Sequence, residues 1–215
     1  ESRAEEFHEG QRGIVIPPGD DALKEYISST PERMILLPDT GDLGEWVMCQ
    51  PSGTVLYACE KMGNPIGKSV LIMGQGAIGL SFTMIIARQG ARQIIAVDPL
   101  DYRLEHSREF GATHTVNPGA QDLAEAVVEI TGGAGPDITV EAAGYPDTLH
   151  QCFRLVRPFG TVIVFGIQSG NLVTVDTSAW MDQQPTIIPT NSSRSGDPTG
   201  SIRRLVALRE RGWID

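Results

Sequence analysis

Cysteine is scarce in this sequence: three residues, Cys49, Cys59 and Cys152, with no C-x-x-C pair. That excludes a disulfide scaffold and the paired spacing of a structural zinc lobe. No apolar run approaches the roughly 20 residues of a membrane-spanning helix. With no secretory signal pattern and so few cysteines, the chain reads as a reduced, cytoplasmic protein. Positive charge is in deficit, 17 Lys and Arg against 27 Asp and Glu, for a formal net charge of −10. That balance disfavours nucleic acid and anionic membranes as general partners. Internal repeats and low-complexity tracts are absent too. What remains is ordinary for a globular protein, 40% hydrophobic and 20% charged over 215 residues. This is chain enough for one α/β domain and part of another.

The chain is organised around Ser69 to Asp98. An apolar run, Val70-Leu71-Ile72-Met73, has the pattern of a buried parallel strand. Gly74-Gln75-Gly76-Ala77-Ile78-Gly79 follows, a G-x-G-x-x-G turn. Ile78, Phe82, Ile85 and Ile86 then recur at helical spacing until Gly90, and a second strand, Ile94-Ile95-Ala96-Val97, ends on Asp98. Gly74 permits the tight turn, Gly76 lets backbone approach a pyrophosphate, and Gly79 allows helix and strand to pack closely. The helix start, at Ala77 and Ile78, offers unpaired N–H groups to phosphate. Asp98 lies roughly 20 residues past the turn, where a carboxylate accepts the ribose hydroxyls of an adenosine. The unit predicts dinucleotide binding.

Residues 1–12 are polar, and His8 among Glu6 and Glu9 reads as a solvated loop rather than a metal cluster. Gly13 to Ile16 is a short strand ended by Pro17-Pro18-Gly19, and residues 22–37 hold two more strand-like pieces split by Thr30-Pro31. Pro51 fits a first helical turn, with Val55, Leu56, Cys59 and Met62 at helical spacing behind it. After Asp98, helices are expected over 99–110, 122–130, 146–156 and 201–211. Strands are expected at 114–117, 137–140, 160–166, 172–175 and 186–188. Alternation of this kind predicts a doubly wound parallel sheet. Ligands then sit at the carboxyl ends of the strands, so Gly76, Asp98, Ala143-Gly144 and Phe165-Gly166-Ile167 should line one crevice.

Several stretches together resemble the medium-chain dehydrogenases/reductases, which include zinc alcohol, polyol and threonine dehydrogenases. Ala22-Leu23-Lys24-Glu25-Tyr26 with Leu37-Pro38 resembles the end of that family's catalytic β-domain. Gln50-Pro51-Ser52-Gly53-Thr54-Val55 resembles the segment leading into its cofactor domain. The Gly74–Asp98 unit, Phe110-Gly111-Ala112-Thr113 and Glu141-Ala142-Ala143-Gly144 match later landmarks. The resemblance implies a Rossmann cofactor domain over 46–191. Residues 1–45 would be a β-rich remnant of a GroES-like catalytic domain, and 192–215 a last helix beginning the return to it. Members of the family are considerably longer, so the chain resembles a fragment, expected to be inactive by itself.

The resemblance also implies roles. Gly74, Gly76, Gly79 and Asp98 would bind the adenosine diphosphate half of NAD, with Arg103 beside the ribose and Ala143-Gly144 in the crevice. Thr54 would lie by the nicotinamide, and Ile167 and Ile188 would offer backbone groups to its carboxamide, or serve as plain strand core. Gln50 stands where the family carries a zinc-ligating Glu or Cys, and a neutral amide is a poor zinc ligand. Three readings follow: a zinc-assisted, NAD-dependent oxidoreductase of a polyol-type secondary alcohol, a zinc-free NAD(P)H-dependent reductase, and a dinucleotide-binding module without turnover. The expected partners are a small alcohol or ketone and, through an edge strand at 172–175, further copies of the chain in a homodimer or tetramer.

Overall fold

The computed structural model describes residues 7–17, 19, 22–168 and 172–214. The chain divides into two compact units, residues 1–56 with 191–215, and residues 57–190.

In the first unit, β1 (Gly13–Val15) pairs antiparallel with β2 (Met34–Leu36), placing Ile14 opposite Ile35. Residues 22–29, expected to be extended, form no strand. Leu23 and Tyr26 are almost wholly exposed, and β1 takes β2 as its partner, so nothing rewards pairing there. Residues 1–6 and Pro18 of the expected loops lie outside the described residues.

A short helix that periodicity did not reveal, α1 (Leu43–Val47), is capped by Asp42, whose carboxylate accepts from the Glu45 N–H at 3.1 Å. α2 (Cys49–Met62) follows, with Pro51 in its first turn, where its missing N–H costs no helical bond. α8 (Gly200–Glu210) packs against it so closely that a Cβ on Gly53 would stand 2.7 Å from Ile202 Cα. Arg209 of α8 lies over the Trp46 ring at 4.8 Å and donates to the Glu45 carbonyl at 2.7 Å.

The second unit is a six-stranded sheet in the order β5-β4-β3-β6-β7-β8, parallel throughout. The strands are β3 (Ser69–Met73), β4 (Gln93–Val97), β5 (His114–Val116), β6 (Ile138–Glu141), β7 (Thr161–Val164) and β8 (Thr186–Pro189). Between them run α3 (Ala77–Arg88), α4 (Asp101–Glu109), α5 (Leu123–Thr131), α6 (Pro146–Leu155) and α7 (Thr177–Gln183). This is the expected doubly wound α/β architecture, and its order reverses between β3 and β6. Every residue of β3 is buried, as a parallel strand covered on both faces requires. Leu71, Met73, Ile95 and Val97 pack with Val127 of α5 and Leu149, Cys152 and Phe153 of α6. Val70, Ile72, Ile94 and Ala96 face the other way. All three cysteines are buried, and burial pushes the thiols of Cys59 and Cys152 well up.

Residues 172–175 are not a strand. The edge of β7 is taken by β8, with Thr161 opposite Thr186. The alternation that suggested a strand has another cause: Val173 and Val175 pack on the core cluster while Leu172 is exposed. Asp176 then caps α7, accepting from the Ser178 N–H at 2.9 Å. The exposed sheet edge on that side is therefore β8.

Asp137 ties the starts of β3 and β6 together, accepting from the Ser69 N–H at 2.8 Å and from Arg157 Nε at 2.7 Å. Burial alone would raise its pKa, but these two donors outweigh it and hold the carboxyl below its ordinary 3.8. A lowered folded-state pKa stabilises the fold above the unfolded value and loses that contribution as pH falls through the folded one. Asp137→Asn should cost about 1 kcal/mol at neutral pH. That deficit should shrink in denaturant titrations as pH falls from the ordinary carboxylate range through the lowered folded-state pKa.

Candidate functional site

The switch point between β3 and β6 opens into a cavity of about 860 Å³ at the carboxyl ends of the strands. That size lies in the range of small-molecule sites. Gly74, Gly76, Asp98, Arg103 and Ala143, all singled out from the sequence, line it. So do Leu100, Tyr145 and Thr148, which were not. Their position just after β4 and β6, Leu100 and Tyr145 in the loops and Thr148 in the first turn of α6, was the available signal.

The three glycines of the turn are glycine for different reasons. Gly74 has φ +90, and a Cβ there would stand 3.0 Å from Ala143 Cα. A Cβ on Gly79 would collide with the Gly74 carbonyl oxygen. Those two are required by the protein itself. Gly76 is not: its φ is −73, open to any residue, and a Cβ there would meet no protein atom within 4 Å. It faces open space at the start of α3, a 12-residue helix whose N-cap supplies no side-chain acceptor. The first N–H groups of α3, at Ala77, Ile78 and Gly79, therefore have no capping acceptor from that residue.

Asp98 follows β4 and is 3% exposed. Its Oδ2 accepts from the Gln75 N–H at 2.8 Å and from Arg103 Nη1 at 3.4 Å, and its Oδ1 accepts from the Leu100 N–H at 3.0 Å. The carboxylate is thus fixed by two backbone donors and carries Arg103 beside it. Gln75, which carried no role in the sequence reading, is fully buried beneath the turn. Its Oε1 accepts from Thr83 of α3 and Ser107 of α4, each at 2.9 Å. It joins the turn to both helices.

Gly144, Phe165, Gly166 and Ile167 are not among the cavity's lining residues. Gly144 and Ile167 do meet, since a Cβ on Gly144 would stand 2.7 Å from the Ile167 carbonyl oxygen. Ile167 lies beyond the end of β7 and is 96% exposed, which rules out strand core for it. Ile188 lies in β8 opposite Ile163.

Thr54 and Gln50 belong to the first unit. Thr54 Oγ1 donates to the Pro51 carbonyl at 2.6 Å within α2. Gln50 lines a cavity with Ile14, Ile16, Leu43 and Val47. No group of three or more His, Cys, Asp or Glu that could hold a metal occurs among the described residues. A lone amide in apolar surroundings does not make a zinc site. No described helix is long and apolar enough to cross a membrane.

A parallel sheet in this order, with a glycine turn and a strand-end acid at its switch point, defines a doubly wound fold of the dinucleotide-binding kind. Residues 77–208 match the family described as zinc-binding dehydrogenase, and the chain belongs to that family, among the medium-chain dehydrogenases/reductases. An alcohol dehydrogenase of Cupriavidus necator is 34% identical over 204 residues, 88% of this chain and 54% of that protein. Sorbitol dehydrogenase of Bacillus subtilis (strain 168) is 30% identical over 171 residues, 80% of this chain and 48% of that protein. A crystal structure described as a zinc-binding dehydrogenase of Sinorhizobium meliloti 1021 bound to NADP superposes with a TM-score of 0.77. It is 26% identical and covers 86% of this chain and 54% of its own. The chain spans about half the length of the curated relatives it matches.

Proposed function

We propose that the protein binds NAD(H) in the switch-point cavity as part of an oxidoreductase that interconverts an alcohol, of the polyol secondary type, and its carbonyl product. Gly76 is the observation that carries this reading. It is a glycine that neither backbone conformation nor any protein contact demands, at a helix start with no side-chain cap. A ligand backbone in close approach supplies the missing reason. Asp98 and Arg103 would hold the adenosine ribose, and the α3 N–H groups the pyrophosphate. The cofactor would supply hydride transfer at its nicotinamide. Calorimetric titration with NADH tests the binding, and alcohol-dependent appearance of NADH tests the turnover. The alcohol and sorbitol dehydrogenases among the relatives favour an alcohol substrate. A second copy would pair along the exposed edge of β8.

A zinc-free reductase is the second reading, and Gln50 in its apolar cavity favours it. The described residues do not gather a zinc ligand set around Gln50. If zinc is held with ligands from elsewhere, Gln50→Glu should raise its retention against a chelator by about tenfold, the worth of ~1.4 kcal/mol. Zinc analysis of both proteins decides. Full activity in a zinc-free wild type leaves the reductase reading standing.

A further inference from the structure

We propose that Glu141 is a positioning residue of the dinucleotide site, holding the loop between β6 and α6 in place behind the glycine turn; the proposal rests on the dinucleotide reading above. Glu141 ends β6 and is fully buried. Its Oε1 accepts from the Ala143 N–H at 2.9 Å, the Gly144 N–H at 2.8 Å and Thr148 Oγ1 at 2.8 Å. Its Oε2 accepts from Gln168 Nε2 at 2.9 Å. None of these donors carries a charge. A buried carboxylate is costly unless its oxygens are fully hydrogen-bonded. What it offers in return is acceptor capacity on both oxygens with no proton to place.

Those bonds reach the cavity through other residues. Ala143 and Thr148 line it, whereas Glu141 itself does not. Ala143 also backs the turn, against which a Cβ on Gly74 would crowd. On the other side, Gly166 leaves room for the carboxylate, since a Cβ there would collide with Glu141 Oε2. One side chain therefore fixes the loop after β6 against the glycine turn on one side and the segment after β7 on the other.

Substitution separates this role from a general one. Glu141→Gln keeps an acceptor for the loop N–H groups. Its new amide nitrogen would face Gln168, whose Oε1 is buried without a partner and can turn to accept. Glu141→Ala removes everything. NADH affinity by calorimetry and amide exchange by NMR form the test. Wild type that fails to bind NADH removes the dinucleotide reading itself, independently of Glu141. Given wild-type binding, Glu141→Ala should weaken NADH about thirtyfold, the loss of charge-assisted hydrogen bonds. Exchange should accelerate at Ala143 and Gly144 while the amides of β3 and β4 stay protected. Glu141→Gln should bind within about threefold of wild type. Undiminished affinity in folded Glu141→Ala overturns the proposal. So does faster exchange throughout the sheet, or a Glu141→Gln variant as weak as the alanine. If Glu141→Ala does not fold, Gln168→Ala takes its place, with NADH about fivefold weaker expected from one lost bond; wild-type affinity there overturns it equally.

Discussion

Gly76→Val should abolish NAD(H) binding and leave the protein folded. The backbone at Gly76, with φ −73, accepts valine without strain, and no protein atom lies within 4 Å of the new Cβ. The cost to the fold is the difference between glycine and valine at an N-cap, about 1 kcal/mol. The isopropyl group would instead occupy the space where the pyrophosphate is proposed to meet the N–H groups of α3. Affinity should drop by more than about a hundredfold, or ~2.7 kcal/mol. Gly79→Val is the instructive contrast: its side chain runs into the Gly74 carbonyl, so the protein itself should be disrupted. Calorimetry with NADH and a thermal melt of each variant separate the two glycines. Wild-type NADH affinity in Gly76→Val would mean that the cavity is not a dinucleotide site.

Wild type is expected to prefer NAD over NADP by about a hundredfold, or 2.7 kcal/mol. Asp98 is the cause. A 2′-phosphate brings close to two negative charges, and each unit pair costs on the order of 4 kcal/mol at about 4 Å and an effective dielectric of 20, before screening. The carboxylate has little freedom to retreat, being 3% exposed and bound to the Gln75 and Leu100 N–H groups. Arg103 could in principle hold such a phosphate, but its guanidinium is turned to Asp98 at 3.4 Å. Asp98→Asn removes the charge, keeps the size and releases Arg103. The preference should narrow to within about threefold, with NAD itself binding about tenfold more weakly. Paired titrations with both cofactors check this. The relative bound to NADP makes the comparison informative, and equal or tighter NADP binding in wild type would overturn the assignment of Asp98.

The Ser69–Asp98 unit was legible because its signals are local. An unbroken apolar strand, a glycine spacing, a helical stripe and a strand-end acid occupy one continuous segment, and β3, α3 and β4 form there. Two strand-like segments were misread, although β6, β7 and β8, whose partners are also distant in the chain, were read as strands. Residues 172–175 alternate as a strand does, yet the edge they would need belongs to β8. Residues 22–29 have strand-like composition, yet β1 pairs with β2 and no strand forms there. α1 and α7 are too short to show a period, and their caps, Asp42 and Asp176, were the only clue.

The sequence by itself determined the alternation of strand and helix, the glycine turn and the acid that follows, because each depends on residues near one another in the chain. The motif gave Gly76 and Gly79 different roles, but did not show which of them the protein's own backbone requires. Only the folded backbone shows that one is required by the Gly74 carbonyl and the other by nothing in the protein. Nor could the sequence assign the bonds that Gln75 accepts from Thr83 and Ser107, or the one that Glu141 accepts from Gln168. Those partners come within reach only when α3, α4 and the β7 segment pack around the switch point. A buried polar group is defined by its neighbours, and its neighbours are a property of tertiary structure.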